Sequence, residues 1–237
     1  MLNRDELIKK YWIDDRTEPR VRMNFVSSLD GAATHQGVSG ALGNADDKLV
    51  FDTLRVLTDV ILVGAGTVRA EGYGGIHASE ADAAWRNGQG WSPQPRVAIV
   101  SSRLDLDPTH GVFVDAPVRP LIVTHAAAPA DRLAALSRVA DVLICGETEI
   151  DPIAMVLALS VRGLPQILCE GGPHLFGALI EADCVDELCL TLSPVLEGGE
   201  AGRIASGGAQ ISRPMILLHA VPAGDMLFLR YARGGAS

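Results

Sequence analysis

The chain has four cysteines, and none belongs to a Cys-x-x-Cys pair. Cys145 and Cys169 close short apolar runs, and with Cys184 and Cys189 they read as reduced, mostly buried small hydrophobes. The six histidines (His35, His77, His110, His125, His174, His219) are scattered, so no zinc-ligand cluster is legible. A His-x-Glu with Pro-Cys-x-x-Cys is missing, which excludes a zinc deaminase. A Gly-x-Ser-x-Gly elbow is missing too, so acyl transfer has no motif. There is no Lys/Arg cluster, and the formal net charge is −9, which argues against a nucleic-acid partner. No uncharged apolar run approaches membrane-spanning length. The start carries Arg4, Asp5 and Glu6 where a signal peptide would be apolar, and a cytoplasmic, membrane-free protein is expected.

What is present is a large apolar fraction, 48% of 237 residues, enough for a sizeable core. Short apolar runs at Arg96–Ser101, Pro120–Thr124, Asp141–Cys145 and Gln166–Cys169 read as strands, as do Arg20–Ser27 and Asp59–Gly64. Helical patterns fall at about Asn44–Thr58, Ala130–Arg138, Asp151–Arg162 and Pro173–Ala182. Asn44 is placed to cap the first, with Asp46 and Asp47 in its opening turn. This alternation predicts an α/β fold: a mostly parallel central sheet with helices on both faces. The tail differs. Val185–Thr191, Ile216–Ala220 and Met226–Tyr231 read as strands without an intervening long helix, which predicts antiparallel C-terminal strands. Residues 1–18 read as a helical extension and 19–237 as one domain. Arg69–Pro95, rich in glycine and ending in prolines, is expected to be an irregular loop and a lid. The extension and the apolar tail strands point to a homodimer.

Several motifs carry chemistry. Glu170-Gly171-Gly172-Pro173 joins a strand to a helix, so the backbone there can approach a ligand closely and offer free N–H groups to a phosphate; a plain tight turn is the alternative. Gly64-Ala65-Gly66-Thr67 follows a strand and resembles a dinucleotide fingerprint. Arg69 stands where the third glycine belongs, so this is not a standard Rossmann turn. Ser101, Ser102 and Arg103 end a strand and either hold a 2′-phosphate or form a solvated turn. Asp30, before Gly31, is either a turn residue or an acceptor for a ligand's donors.

Asn24-Phe-Val-Ser-Ser-Leu-Asp-Gly31, Thr58-Asp-Val-Ile-Leu-Val-Gly-Ala-Gly-Thr-Val68, Glu170-Gly-Gly-Pro173 and Val185-Asp-Glu-Leu188 through Leu192-Ser-Pro194 occur in one order. That ordered set resembles the pyrimidine reductases of riboflavin biosynthesis, which are similar in fold to dihydrofolate reductase, in their free-standing form. The resemblance implies an NADPH-dependent reduction of 5-amino-6-(5-phosphoribosylamino)uracil. It implies that Gly64, Gly66, Thr67, Gly171 and Gly172 line the cofactor and that Ser101 and Arg103 lie near its adenosine phosphate. Asn24, Ser28 and Asp30 would face the substrate, with Glu170 on the cleft floor; Asp30 and Glu170 are the candidate catalytic residues. Many family members carry Lys where this chain has Ala32, and an Asp-Asp-Pro element where it reads Arg69-Ala-Glu-Gly-Tyr-Gly-Gly75. A dihydrofolate or pterin reductase on the same fold, or an inactive nucleotide-binding module, therefore stands beside the first reading.

Overall fold

The computed structural model describes residues 2–234. Nine strands form one sheet in the order β5-β4-β3-β2-β6-β1-β7-β9-β8. They are β1 (Arg20–Ser28), β2 (Val60–Gly64), β3 (Arg96–Val100), β4 (Leu121–Thr124), β5 (Asp141–Ile144), β6 (Gln166–Cys169), β7 (Glu187–Ser193), β8 (Met215–Ala223) and β9 (Met226–Arg233). The pairings from β5 through to β7 are parallel, and β9 runs antiparallel to both β7 and β8. This is the α/β sheet expected from the sequence, mostly parallel in its centre with helices on both faces. Its C-terminal strands are antiparallel to one another as expected, while β7 itself joins β1 in parallel, with Arg22 opposite Glu187.

The alternation along β2 shows why the sheet is buried on both faces. Val60 and Leu62 pack on one side with Met155, Leu159, Phe176 and Leu179. These come from α7 (Pro152–Val161) and α8 (Pro173–Glu181). Ile61 and Val63 pack on the other side, with Val112 of α5 (Gly111–Val114) and Leu136 of α6 (Ala130–Leu136). A third cluster gathers Val50 and Leu54 of α2 (Ala45–Val56) against Leu168 and Phe228, under Leu7 and Tyr11 of α1 (Arg4–Tyr11). The first eighteen residues thus contribute to the core: Arg22 and Arg230 bracket the buried Glu187 and donate to the carbonyls of Tyr11 and Lys10.

The stretch from Arg69 to Pro95 is not uniformly irregular. It contains the end of α3 (Ala65–Ala70) and a further helix, α4 (Glu80–Gly88), capped by the Ser79 hydroxyl on the Asp82 N–H at 3.1 Å. Tertiary contacts hold α4. Arg86 is fully buried and donates to the carbonyls of Val56 and Thr58. Trp85 and Trp91 pack on Trp12. A lid made of the whole stretch does not fit this packing; its first part, up to His77, forms a wall of the cleft described next.

Candidate active site

Parallel strands place their C-terminal ends at one edge of the sheet, where α/β folds bind ligands. Here β2, β6 and β1 are neighbours, and a cavity of about 800 Å³ opens between their ends, α2 and residues 71–77. Glu170 leaves β6 with its N–H bonded to the Leu62 carbonyl and its side chain 1% exposed. An unpaired carboxylate buried this deeply would be costly. Arg55, in the last turn of α2, meets it with both edges of its guanidinium, Nε to Oε1 at 2.6 Å and Nη2 to Oε2 at 2.7 Å. The Tyr73 hydroxyl donates to Oε2 at 2.6 Å. Phe51, one turn before Arg55, lies under the guanidinium with its ring centre 4.1 Å from Cζ.

Burial disfavours the Arg55 charge, but Glu170 outweighs it and holds the guanidinium protonated, with its pKa above the usual value. Burial, then Glu170, pushes the Tyr73 phenol well above its usual value, so it stays a donor. With three donors on it, Glu170 is a fixed point of the cleft floor. Arg55 is a functional candidate that reasoning from residue types passed over, and Tyr73, which stands where the family's Asp-Asp-Pro element is missing, proves to be a partner of Glu170. Its place in the last turn of a predicted helix is the sequence signal for Arg55, and nothing marks the partnership across 115 residues.

The glycine turns meet at the same edge. The Gly64 N–H donates to the Gly171 carbonyl at 2.7 Å, bringing the ends of β2 and β6 together. Gly171 has φ +100°, open to glycine, and a Cβ there would stand 3.2 Å from the Phe25 ring. A Cβ on Gly172 would stand 2.6 Å from the Thr67 hydroxyl, whereas one on Gly66 would meet nothing within 4 Å. Gly172 is also the residue before α8, with Pro173 in the first turn. This is a cradle of bare backbone beside open space. Further along the same edge, at the end of β4, the buried Thr124 hydroxyl and His125 Nδ1 have no partner among the described residues. Ser101, at the end of β3, bonds through its N–H to the Val123 carbonyl next to them. The row of strand ends therefore fits an extended nucleotide cofactor: glycines for close approach, and orphaned polar atoms for its far end.

Of the residues singled out from sequence, Asn24, Thr67, Glu170 and Gly172 line the cavity; Gly64 and Gly171, joined by the bond above, adjoin those lining residues in the chain, and Gly66 precedes Thr67. Ser28, Asp30, Ser101 and Arg103 do not line it. Ser101 is buried and its hydroxyl accepts from the Leu104 N–H at 3.0 Å, while Arg103 is exposed. Asp30 is exposed and fully occupied: Ser28 donates to it through a short hydrogen bond, and the N–H groups of Glu197 and Gly198 donate at 3.1 and 2.7 Å. Those bonds, Ser28 first, draw its carboxyl down to about 2. Asp30 thus ties the end of β1 to the loop after β7. The Asp-Gly turn seen in the sequence is real, but its acceptor serves the protein's own backbone.

Comparison with known proteins agrees with this architecture. A family model described as RibD C-terminal domain matches residues 19–227. The chain is 29% identical over 182 residues to the 2,5-diamino-6-ribosylamino-4(3H)-pyrimidinone 5′-phosphate reductase of Archaeoglobus fulgidus, covering 76% of this chain and 83% of that one. Among solved structures, a pyrimidine reductase-like protein from Corynebacterium diphtheriae superposes with a TM-score of 0.89 at 26% identity, over 99% of this chain and 100% of that one. The dihydrofolate reductase of Enterococcus faecalis shares the fold at TM-score 0.50 and 12% identity, over 90% of this chain and 96% of that one.

Proposed function

The chain belongs to the RibD C-terminal domain family, and on that premise we propose that it is an NADPH-dependent reductase of a ribosylaminopyrimidine in riboflavin biosynthesis. The single observation that carries the reading is the junction of the glycine cradle with the cavity. Thr67 and Gly172 belong to both, so a dinucleotide along the strand ends would put its reactive end beside a ring-sized space floored by Glu170. Thr67, Gly171 and Gly172 would hold a nicotinamide cofactor there, and it would supply the hydride for reduction of a ribosyl group to ribityl. Positioning is what the protein's own groups contribute. Arg55 and Tyr73 fix Glu170, and Glu170 fixes the floor on which the substrate rests. Gly171 and Gly172 let the backbone approach the pyrophosphate, and Arg103 is the cation placed for a 2′-phosphate. Asn24 faces the substrate. Asp30 and Ser28 act at one remove, by holding the loop at residues 197 and 198 against the end of β1.

5-Amino-6-(5-phosphoribosylamino)uracil, implied by the sequence resemblance, and the 2-amino ring named for the archaeal relative carry the same reducible ribosylamino group. A second reading, a dihydrofolate or pterin reductase, is favoured by one observation: both cavity cations, Lys48 and Arg55, are already paired with carboxylates, so no lysine or arginine lining the cavity waits for a phosphate. The test is to follow nicotinamide absorbance at fixed NADPH with each pyrimidine and with dihydrofolate. Oxidation with a ribosylaminopyrimidine supports the first reading and oxidation with dihydrofolate alone supports the second. Cofactor binding with no oxidation of any substrate would leave an inactive nucleotide-binding module.

A further inference from the structure

A closed ribosylamine ring cannot accept a hydride. Its C1′ carries both the ring oxygen O4′ and the exocyclic nitrogen, so the C1′–O4′ bond must break first. The electron pair of that bond goes to O4′, which takes a proton, and the nitrogen lone pair forms a C1′=N bond. The hydride then adds to C1′, and the C=N electrons return to nitrogen. One hydride and one proton are consumed, and a nicotinamide supplies only the hydride. The proton has to come from a group that borders the cavity and has one to give. Most of the titratable groups there do not. Glu170 is held as a carboxylate by Arg55. Tyr73 already directs its proton to Glu170, and burial, then Glu170, keeps the phenol well above its ordinary value. Lys48 and Asp52 are paired with each other at 2.7 Å, and an ammonium holds its proton well past neutral pH. Glu71 accepts the Ser39 N–H at 2.9 Å. Burial pushes the Asp47 carboxyl up, but the Thr191 side chain and its place in the first turn of α2 favour the charged form.

His77 differs from all of these. It is the one histidine that lines the cavity, and histidine is the side chain that exchanges a proton near neutral pH. Its Nε2 bonds to the Asp115 carbonyl at 2.7 Å. A carbonyl only accepts, so Nε2 keeps its hydrogen in either protonation state and the proton that comes and goes is on Nδ1. Among the described residues Nδ1 has no hydrogen-bond partner and the ring pairs with no carboxylate. The anchor is firm. Gly75 passes so close to the same carbonyl that a Cβ there would stand 2.2 Å from its oxygen. Ile76, between the two, is buried in the cluster that holds Val112 and Phe113 of α5. The ring itself is exposed, so solvent can return a proton to it. We propose that His77 is the general acid of this enzyme. In its doubly protonated form it gives the Nδ1 proton to O4′ as the C1′–O4′ bond breaks, and it is reprotonated by solvent after the ribityl product leaves. The inference rests on the reductase reading above and adds the proton half of that reaction.

The test separates ring opening from hydride transfer. With NADP⁺ in place of NADPH, the ribosyl ring can open and reclose but cannot be reduced. Each cycle interconverts the two anomers at C1′, which NMR exchange spectroscopy reads. The full chain should speed this exchange above the rate without protein. His77→Gln keeps an N–H for the Asp115 carbonyl but has no proton to transfer, and His77→Ala keeps neither. Both variants should lose the accelerated exchange, and their kcat with NADPH should fall on the order of 10²-fold or more. NADPH affinity should be unchanged in both, and thermal unfolding of His77→Gln should match that of the full chain. Exchange and turnover retained in His77→Gln, with or without their loss in His77→Ala, would overturn the acid role and leave the reductase reading in place. Exchange in the full chain no faster than without protein would overturn it too, whatever the stability of the variants. An absence of NADPH oxidation by the full chain with any ribosylaminopyrimidine would overturn the reductase reading and the role of His77 with it.

Discussion

Arg55 and Glu170 are 115 residues apart in sequence and meet through two hydrogen bonds of 2.6 and 2.7 Å. The pair is the floor of the cleft. Arg55→Ala would leave a carboxylate buried with only Tyr73 donating to it, and removing one partner of a buried pair costs about 3–5 kcal/mol. We expect a lowered melting temperature by calorimetry and kcat/KM lost with it. Tyr73→Phe keeps the pair and removes one neutral donor, so its cost should be nearer 1 kcal/mol. Equal stabilities of the two variants would show that the carboxylate does not depend on the guanidinium.

Asp30 should behave as a latch between β1 and the loop after β7. Its carboxyl is drawn down to about 2, below the ordinary value of about 3.9 for an aspartate in the unfolded chain. A depressed carboxyl contributes stability that is complete above the unfolded value and is lost as pH falls through the folded one. The amides of Glu197 and Gly198 should therefore stay protected from hydrogen exchange at neutral pH and lose protection as pH falls from about 4 toward about 2. Asp30→Asn should expose them at every pH. NADPH affinity should hold in that variant, because the latch does not touch the glycine cradle.

Much of the fold was legible because it is local. Apolar runs flanked by helical patterns predict parallel strands, and Asn44 caps α2 as its position suggests. The antiparallel tail was readable from its lack of helices, although not the parallel entry of β7 beside β1. The α4 helix escaped because tertiary contacts, Trp85 on Trp12 and the buried Arg86, decide it rather than its own short pattern. In the site, the glycine turns were visible because their chemistry belongs to the backbone. The Arg55–Glu170–Tyr73 cluster was not, since sequence spacing does not reveal which strands become neighbours.

Gly172 and Thr67 should be coupled. A Cβ on Gly172 would stand 2.6 Å from the Thr67 hydroxyl, so Gly172→Ala must push that side chain aside. We expect a loss of NADPH affinity with the protein still folded. Adding Thr67→Ala should recover stability more than a sum of separate effects would give. Strict additivity in this double-mutant cycle would mean the two residues do not share one contact.

Arg103 is exposed at the end of β3, and among the described residues its side chain makes no hydrogen bond or ion pair. Arg103→Ala should weaken NADPH by about 1.5–3 kcal/mol, the worth of a charged hydrogen bond, and leave NADH nearly unchanged. Titration of both cofactors checks this. A parallel loss for both would move the 2′-phosphate elsewhere on the row of strand ends.

The central claim is that the hydride reaches the ribosyl carbon of a ribosylaminopyrimidine. The most direct measurement uses NADPH deuterated on both C4 positions of the nicotinamide, incubated with the full chain and 2,5-diamino-6-ribosylamino-4(3H)-pyrimidinone 5′-phosphate, followed by mass and NMR analysis of the product. The account predicts a single deuterium on C1′ of a ribityl chain. Unlabelled pyrimidine recovered unchanged, from a protein shown to bind the cofactor, would contradict it.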